Sequence, residues 1–143
     1  MYFKGTTPHK TINPKSNEEN PTPFFQATLE EVDAAVVLAD KAFKEYRNIS
    51  GKRRAAFLNA IADEILALGT ELTDMYVSES GLPEGRAQGE RGRTVGQLRA
   101  FADLISTEDW RSNTIDEAIP TRQPLPKSDL RKTSIPLGPV VVF

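Results

Sequence analysis

The chain has 143 residues, of which 27% are charged, and its formal net charge is −2. That length suits a single domain with a core of its own, and no Lys/Arg block offers a footprint for nucleic acid or an anionic membrane. With no cysteine, disulfides, thiolate metal sites and a cysteine nucleophile are excluded within these residues. The one histidine, His9, lies in a Thr/Pro/Lys-rich stretch and reads as a solvated side chain rather than a base or ligand. No metal-ligand cluster, Ser/His/Asp arrangement or phosphate-cradling glycine loop is present. The N-terminus MYFKGTTPHK lacks the apolar core of a signal peptide, and no apolar run reaches membrane-spanning length. The expectation is a soluble, cytoplasmic protein.

Residues 1–27 are rich in Gly, Pro, Asn and Thr and have no period, so they read as an extended N-terminal arm, with a short strand near Tyr2–Lys4 or His9–Ile12. Thr28 with Glu31 three residues on has the form of a capping box. Leu29, Val32, Val36, Ala39 and Phe43 then repeat at threes and fours, which predicts a helix over about 29–47 with a core-facing stripe. A break at Asn48–Gly51 follows, with Ser50 placed to cap a second helix over 52–68 through Phe57, Leu58, Ile61, Ile65 and Leu68. Gly69 stops it, and Thr70 is placed to cap a shorter helix over 70–80. Gly81 and Pro83 close that helix and open the next.

The stretch from Pro83 to Ile105 predicts a fourth helix, over 83–106, with three stripes at about 100° per residue. Ala87, Thr94, Leu98, Phe101 and Ile105 form a packing face. Arg86, Glu90, Arg93 and Gln97 form a polar stripe, and Gly85, Gly89, Gly92 and Gly96 a third. Four glycines in a helix cost roughly 0.8–1 kcal/mol each against Ala. Such a cost is tolerated where another element or a ligand must approach the backbone. Two readings stay open: close helix packing with a solvated polar stripe, or a helix lining a pocket and presenting Arg93 and Gln97 to an anionic or polar ligand.

After Ser106 the pattern becomes extended. Trp110–Thr121 and Asp129–Ile135 read as strands flanking a Pro-rich crossing from Pro120 to Pro126. The final PLGPVVVF is an apolar β-branched run of the kind buried on both faces of a parallel sheet. No helix follows to cover it, which suggests a chain cut short and an exposed apolar strand edge at Val140–Phe143 prone to association. The fold class expected is mainly α with C-terminal β-strands. Its organisation is an arm over 1–27, a four-helix body over 28–106 and an extended segment over 107–143.

The ordered set of an arm with Asn13–Pro14, two amphipathic helices, ELTDMYVSESGLP, GERGRTVGQLRAFADLI and SIPLGPVVVF resembles the N-terminal part of the NAD(P)-dependent aldehyde dehydrogenases. Within that family the glycine-and-arginine helix and the PLGPVVVF run are most like the 2-oxoglutarate semialdehyde (2,5-dioxopentanoate) dehydrogenases. The resemblance implies a partial aldehyde-dehydrogenase fold: the helical part of the cofactor-binding domain plus oligomerisation-type strands, with the cofactor sheet incomplete. It implies, for a longer parent, oxidation of a carboxylate-bearing aldehyde by a nucleophilic cysteine with NADP or NAD, and a homo-oligomer. The family's oxyanion-hole asparagine, cofactor glycine motif, general-base glutamate and nucleophilic cysteine match no position here. The catalytic set is therefore empty, and the piece alone is expected to be inactive and to bind no cofactor. By the same likeness the substrate-binding candidates are Arg93, Gln97 and Gly89, with Arg91 as a second candidate for the carboxylate. Phe143 is the cofactor-binding candidate, beside the ribose cleft. Glu90 is an alternative partner for Arg93, in a surface pair of small worth. A different class, a non-enzymatic helical module binding a partner through the Arg122–Val142 segment or the glycine stripe, remains as the alternative.

Overall fold

A computed structural model describes residues 5–107 and 109–142. The order is a β-hairpin, four helices and a second, smaller hairpin.

Strand β1 (Thr7–Asn13) pairs antiparallel with β2 (Glu18–Gln26), with Thr7 opposite Gln26 and Asn13 opposite Glu18. The expected strand at His9–Ile12 is thus one half of a hairpin, whereas the strand suggested at Tyr2–Lys4 falls outside the described residues. The turn is built by Asn13 and Asn17. Asn13 Oδ1 accepts from the Lys15 N–H at 2.9 Å, and Asn17 takes a left-handed φ of 59° while its N–H donates to the Asn13 carbonyl at 2.8 Å. Pro21 and Pro23, which cannot donate to a ladder, are tolerated because β2 pairs with β1 alone. One buried side chain fastens the hairpin to the helices. Asn20 Nδ2 donates to Thr11 Oγ1 at 3.0 Å and the Thr11 hydroxyl donates to Glu79 Oε1 at 2.9 Å.

The helices are α1 (Leu29–Tyr46), α2 (Gly51–Ala67), α3 (Gly69–Ser80) and α4 (Glu84–Ser106), close to the expected spans. The capping box at Thr28/Glu31 is present in both directions, and Ser50 Oγ accepts from the Arg53 N–H. Gly69 and Gly81 take φ of 56° and 69°, the left-handed geometry that ends α2 and α3. Thr70 is not a cap: Leu68 is the N-cap of α3 and offers no side-chain bond, because α3 restarts directly from the turn that ends α2.

The centre of the fold is the pairing of α2 with α4, the most extensive contact between helices. Its buried side chains are small: Ala55 and Ala62 from α2, and Ala87, Val95 and Ala102 from α4. This corrects the expected faces. Leu58, Ile61 and Ile65 of α2 are half-buried, but Phe57 and Leu68 are exposed. On α4, Thr94 and Phe101 are exposed, and the inward line runs Ala87, Arg91, Val95, Leu98, Ala102, Ile105. Small side chains win the contact because they let the two backbones come close. A Cβ placed on Gly51 would lie 2.1 Å from the Ile105 carbonyl oxygen.

Helix α1 departs furthest from expectation. None of its residues is buried, and Leu29 is 80% exposed, so the apolar stripe faces outward among the described residues. Phe43, half-buried, meets the C-terminal segment at Gly138.

That segment is less regular than expected. Trp110 stands in a 3₁₀ turn, Asp109–Arg111, and the strand expected over Trp110–Thr121 contracts to β3 (Thr114–Asp116). It pairs antiparallel with β4 (Leu130–Lys132), the remnant of the strand expected over Asp129–Ile135. Below the pair, Ile119 bridges Lys127 and the Lys127 ammonium pairs with Asp116. The run expected as a buried strand is unpaired through Val142, with Val140, Val141 and Val142 exposed, because no described strand lies alongside it.

Candidate functional site

Helix α4 presents the candidate site on the side turned away from α2. Its rotation is fixed from inside. Arg91 is half-buried, and its Nη1 donates to the Gly69 carbonyl at 2.7 Å, across the junction of α2 and α3. The second candidate for a substrate carboxylate is therefore engaged by backbone. Two residues further on, about 200° round the helix, Arg93 points outward.

Glu90 organises the polar stripe. Arg86 Nη2 lies 2.7 Å from Glu90 Oε1, while Arg93 Nε donates to Oε2 at 2.8 Å and its Nη2 lies 2.8 Å from that same oxygen. Each carboxylate oxygen thus holds one arginine. The side chains of Arg86 and Arg93 are 62% and 69% exposed, whereas that of Glu90 is 27% exposed, so the acid is the anchored member. The bond from Arg93, then its charge, holds the Glu90 carboxyl below the ordinary glutamate range, with Arg86 adding less.

Glu90 and Arg91 also stand at the lip of a groove of about 340 Å³ between α3 and α4, whose apolar wall is Ile65, Leu68, Leu72 and Tyr76. Arg93 and Gln97 are outside it. They lie one turn apart on the exposed face, and Gln97 has no hydrogen-bond partner among the described residues. At Gly85, Gly89, Gly92 and Gly96 an added Cβ would meet nothing within 4 Å. The close-packing reading of the glycine stripe therefore does not hold among the described residues. Gly89, Arg93 and Gln97, spaced by four along α4, are all exposed. Phe143 lies outside the described residues.

The α4 glycines sit inside a helix instead of at a strand-to-helix turn, so their N–H groups cannot gather round a pyrophosphate. No group of three His, Asp or Glu side chains is placed to hold a metal among these residues. No described helix is long and apolar enough to cross a membrane.

This arrangement of helices is the one found in aldehyde dehydrogenases of known structure. The chain superposes with a TM-score of 0.72 on the NAD-dependent benzaldehyde dehydrogenase of Corynebacterium glutamicum, at 21% identity, covering 87% of this chain and 26% of that one. On apo betaine aldehyde dehydrogenase of Staphylococcus aureus the TM-score is 0.74 at 18% identity, covering 92% and 25%. These similarities define a partial aldehyde-dehydrogenase fold. The sequence pattern of the aldehyde dehydrogenase family matches residues 2–143, and the chain belongs to that family.

Among curated relatives, it is 48% identical over 135 residues to alpha-ketoglutaric semialdehyde dehydrogenase 2 of Azospirillum brasilense, covering 94% of this chain and 26% of the relative. It is also 48% identical over 120 residues to alpha-ketoglutaric semialdehyde dehydrogenase of Acinetobacter baylyi, covering 84% and 23%. Identity is 35% over 96 residues to succinate-semialdehyde dehydrogenase [NADP(+)] 1 of Mycobacterium bovis, covering 67% and 21%. The chain spans about a quarter of the length of these alpha-ketoglutaric semialdehyde dehydrogenases.

One part of the site that the sequence did not reveal is the inward bond from Arg91 to Gly69. Its only trace was a basic residue on the packing face one turn after Ala87.

Proposed function

We propose that these residues belong to an NAD(P)-dependent aldehyde dehydrogenase acting on 2-oxoglutarate semialdehyde, with Arg93 receiving the carboxylate of the substrate. The observation that carries this reading is the 48% identity to alpha-ketoglutaric semialdehyde dehydrogenases over 135 residues, a span long enough to include the whole arginine stripe. All three relatives named above are, by name, semialdehyde dehydrogenases, and the outward face of α4 offers a guanidinium suited to a carboxylate. Gln97, one turn on, adds a donor, and Gly89, one turn back, leaves room for a ligand against the helix.

The reaction itself needs groups that these residues lack. They contain no thiol, so a covalent thiohemiacetal has no nucleophile here, and oxidation belongs to the longer polypeptide. These 143 residues alone are assigned no turnover and no cofactor binding. We assign Phe143, on the family likeness, to the border of the ribose cleft. A cytoplasmic homo-oligomer is the state inferred for the whole enzyme.

The test is Arg93→Met in the full-length enzyme, with 2-oxoglutarate semialdehyde compared against an uncharged aldehyde of similar length. The KM ratio of charged to uncharged substrate should rise by more than about ten-fold, the worth of one charge-assisted contact. Equal changes for both aldehydes would make Arg93 structural.

A further inference from the structure

We infer that Glu90 is a positioning residue for substrate selection, holding Arg93 so that one edge of its guanidinium is open to a second carboxylate. The inference rests on the assignment of Arg93 to the substrate carboxylate. It comes from which atoms are occupied. A guanidinium has a side edge, Nε with Nη2, and an end edge, Nη1 with Nη2, and either can grip a carboxylate through two N–H groups. In this structure the side edge is spent on Glu90 Oε2, with Nε and Nη2 each 2.8 Å away. Nη1 meets no acceptor among the described residues, so the end edge is the one presented to solvent.

Three features make Glu90 the fixed point of this arrangement. It is the least exposed of the three side chains, and it stands at the lip of the groove walled by Leu72 and Tyr76. Its other oxygen is taken by Arg86 at 2.7 Å, which prevents the carboxylate from swinging away with Arg93. The trio carries a net charge of +1, which one substrate carboxylate neutralises.

Glu90 also exerts an opposing effect, because its negative charge repels an incoming anion. That repulsion acts between exposed groups and is screened by water and salt. The orientation is set by two direct N–H contacts at 2.8 Å and is screened less than the longer-range repulsion. A long arginine side chain released from Glu90 must be ordered again by every substrate molecule that binds. The two effects predict opposite signs, so the experiment separates them.

In the full-length enzyme, Glu90→Gln should raise KM for 2-oxoglutarate semialdehyde by about two- to five-fold, the range of what an exposed ion pair can contribute to orienting Arg93. The change should fall on KM and not on kcat, and the charged-to-uncharged KM ratio should rise with it. Combined with Arg93→Met, Glu90→Gln should add no further discrimination, since it acts through Arg93. A fall in KM for the charged aldehyde would show that Glu90 only repels, and would overturn the inference. So would an equal effect on both aldehydes, or an effect that persists undiminished in the double variant. The two proposals fail distinguishably. If Arg93→Met leaves discrimination unchanged, both fall; if Arg93→Met abolishes it and Glu90→Gln does not alter it, only the role of Glu90 falls.

Discussion

Arg91 donates from Nη1 to the carbonyl oxygen of Gly69 at 2.7 Å, linking the second turn of α4 to the turn between α2 and α3. Gly69 is held at a φ of 56°, so its carbonyl faces a direction that ordinary helical backbone would not offer. Of the four arginines on this 23-residue helix, Arg91 is the one turned inward, and its bond helps set the rotation that leaves Arg86 and Arg93 outward.

Arg91→Met should therefore lower stability without touching substrate discrimination. The loss is expected at about 1–2 kcal/mol, toward the low end for a charged hydrogen bond because solvent reaches the guanidinium. Urea denaturation of the 143-residue chain measures the first quantity, and the KM ratio of the two aldehydes in the full-length enzyme measures the second. A collapse of that ratio would transfer the carboxylate from Arg93 to Arg91.

The trio on α4 has a signature in pH. Arg93, through its hydrogen bond first and its charge second, lowers the pKa of Glu90. A group whose folded pKa is depressed contributes stability above its unfolded pKa, and that contribution is lost as pH falls through the folded value. The Glu90 grip should accordingly persist below the ordinary glutamate range and release only in more acidic solution. Carbon-detected NMR of the Glu90 carboxyl should place its midpoint below that of glutamate in an unfolded peptide. Arg93→Met should move the midpoint upward, and Arg86→Met should move it less. A Glu90 midpoint insensitive to Arg93→Met would contradict the geometry.

Two glycines on either side of the same helix pair should respond oppositely to alanine. Gly51→Ala drives a methyl to within 2.1 Å of the Ile105 carbonyl oxygen, and backbone cannot step aside cheaply. The expected loss is about 1–3 kcal/mol or more, as for overpacking of a tight contact. Gly92→Ala meets open space inside a helix, so it should gain roughly 0.8–1 kcal/mol from helix propensity. Thermal unfolding of both variants gives the comparison; destabilisation by Gly92→Ala would mean that the open face is covered in the folded chain.

What the sequence made legible was local. The caps at Thr28 and Ser50 and the left-handed glycines at 69 and 81 each act through their own few residues, and they gave the helix ends closely. What stayed hidden depended on partners distant in the chain. Periodicity on α4 favoured Phe101 and Thr94, yet the contact with α2 selected Val95 and Ala102, because closeness of two backbones outweighs the size of a side chain there. The hairpin escaped because Pro21 and Pro23 argue against a strand, and only the pairing of Asn13 and Asn17 in one turn reverses that argument. At the site, the spacing of Arg86, Glu90 and Arg93 brought them to one face. It did not show which oxygen of Glu90 each arginine takes, on which the open edge of Arg93 depends.

The seam between α2 and α4 has a consequence for motion. Alanine has no side-chain rotamers and valine very few, so ordering Ala55, Ala62, Ala87, Val95 and Ala102 surrenders almost no side-chain entropy. Repacking at this seam is therefore left to the half-buried Leu58, Ile61, Leu98 and Ile105 around it, while at the alanines the two backbones meet where no rotamer change can part them.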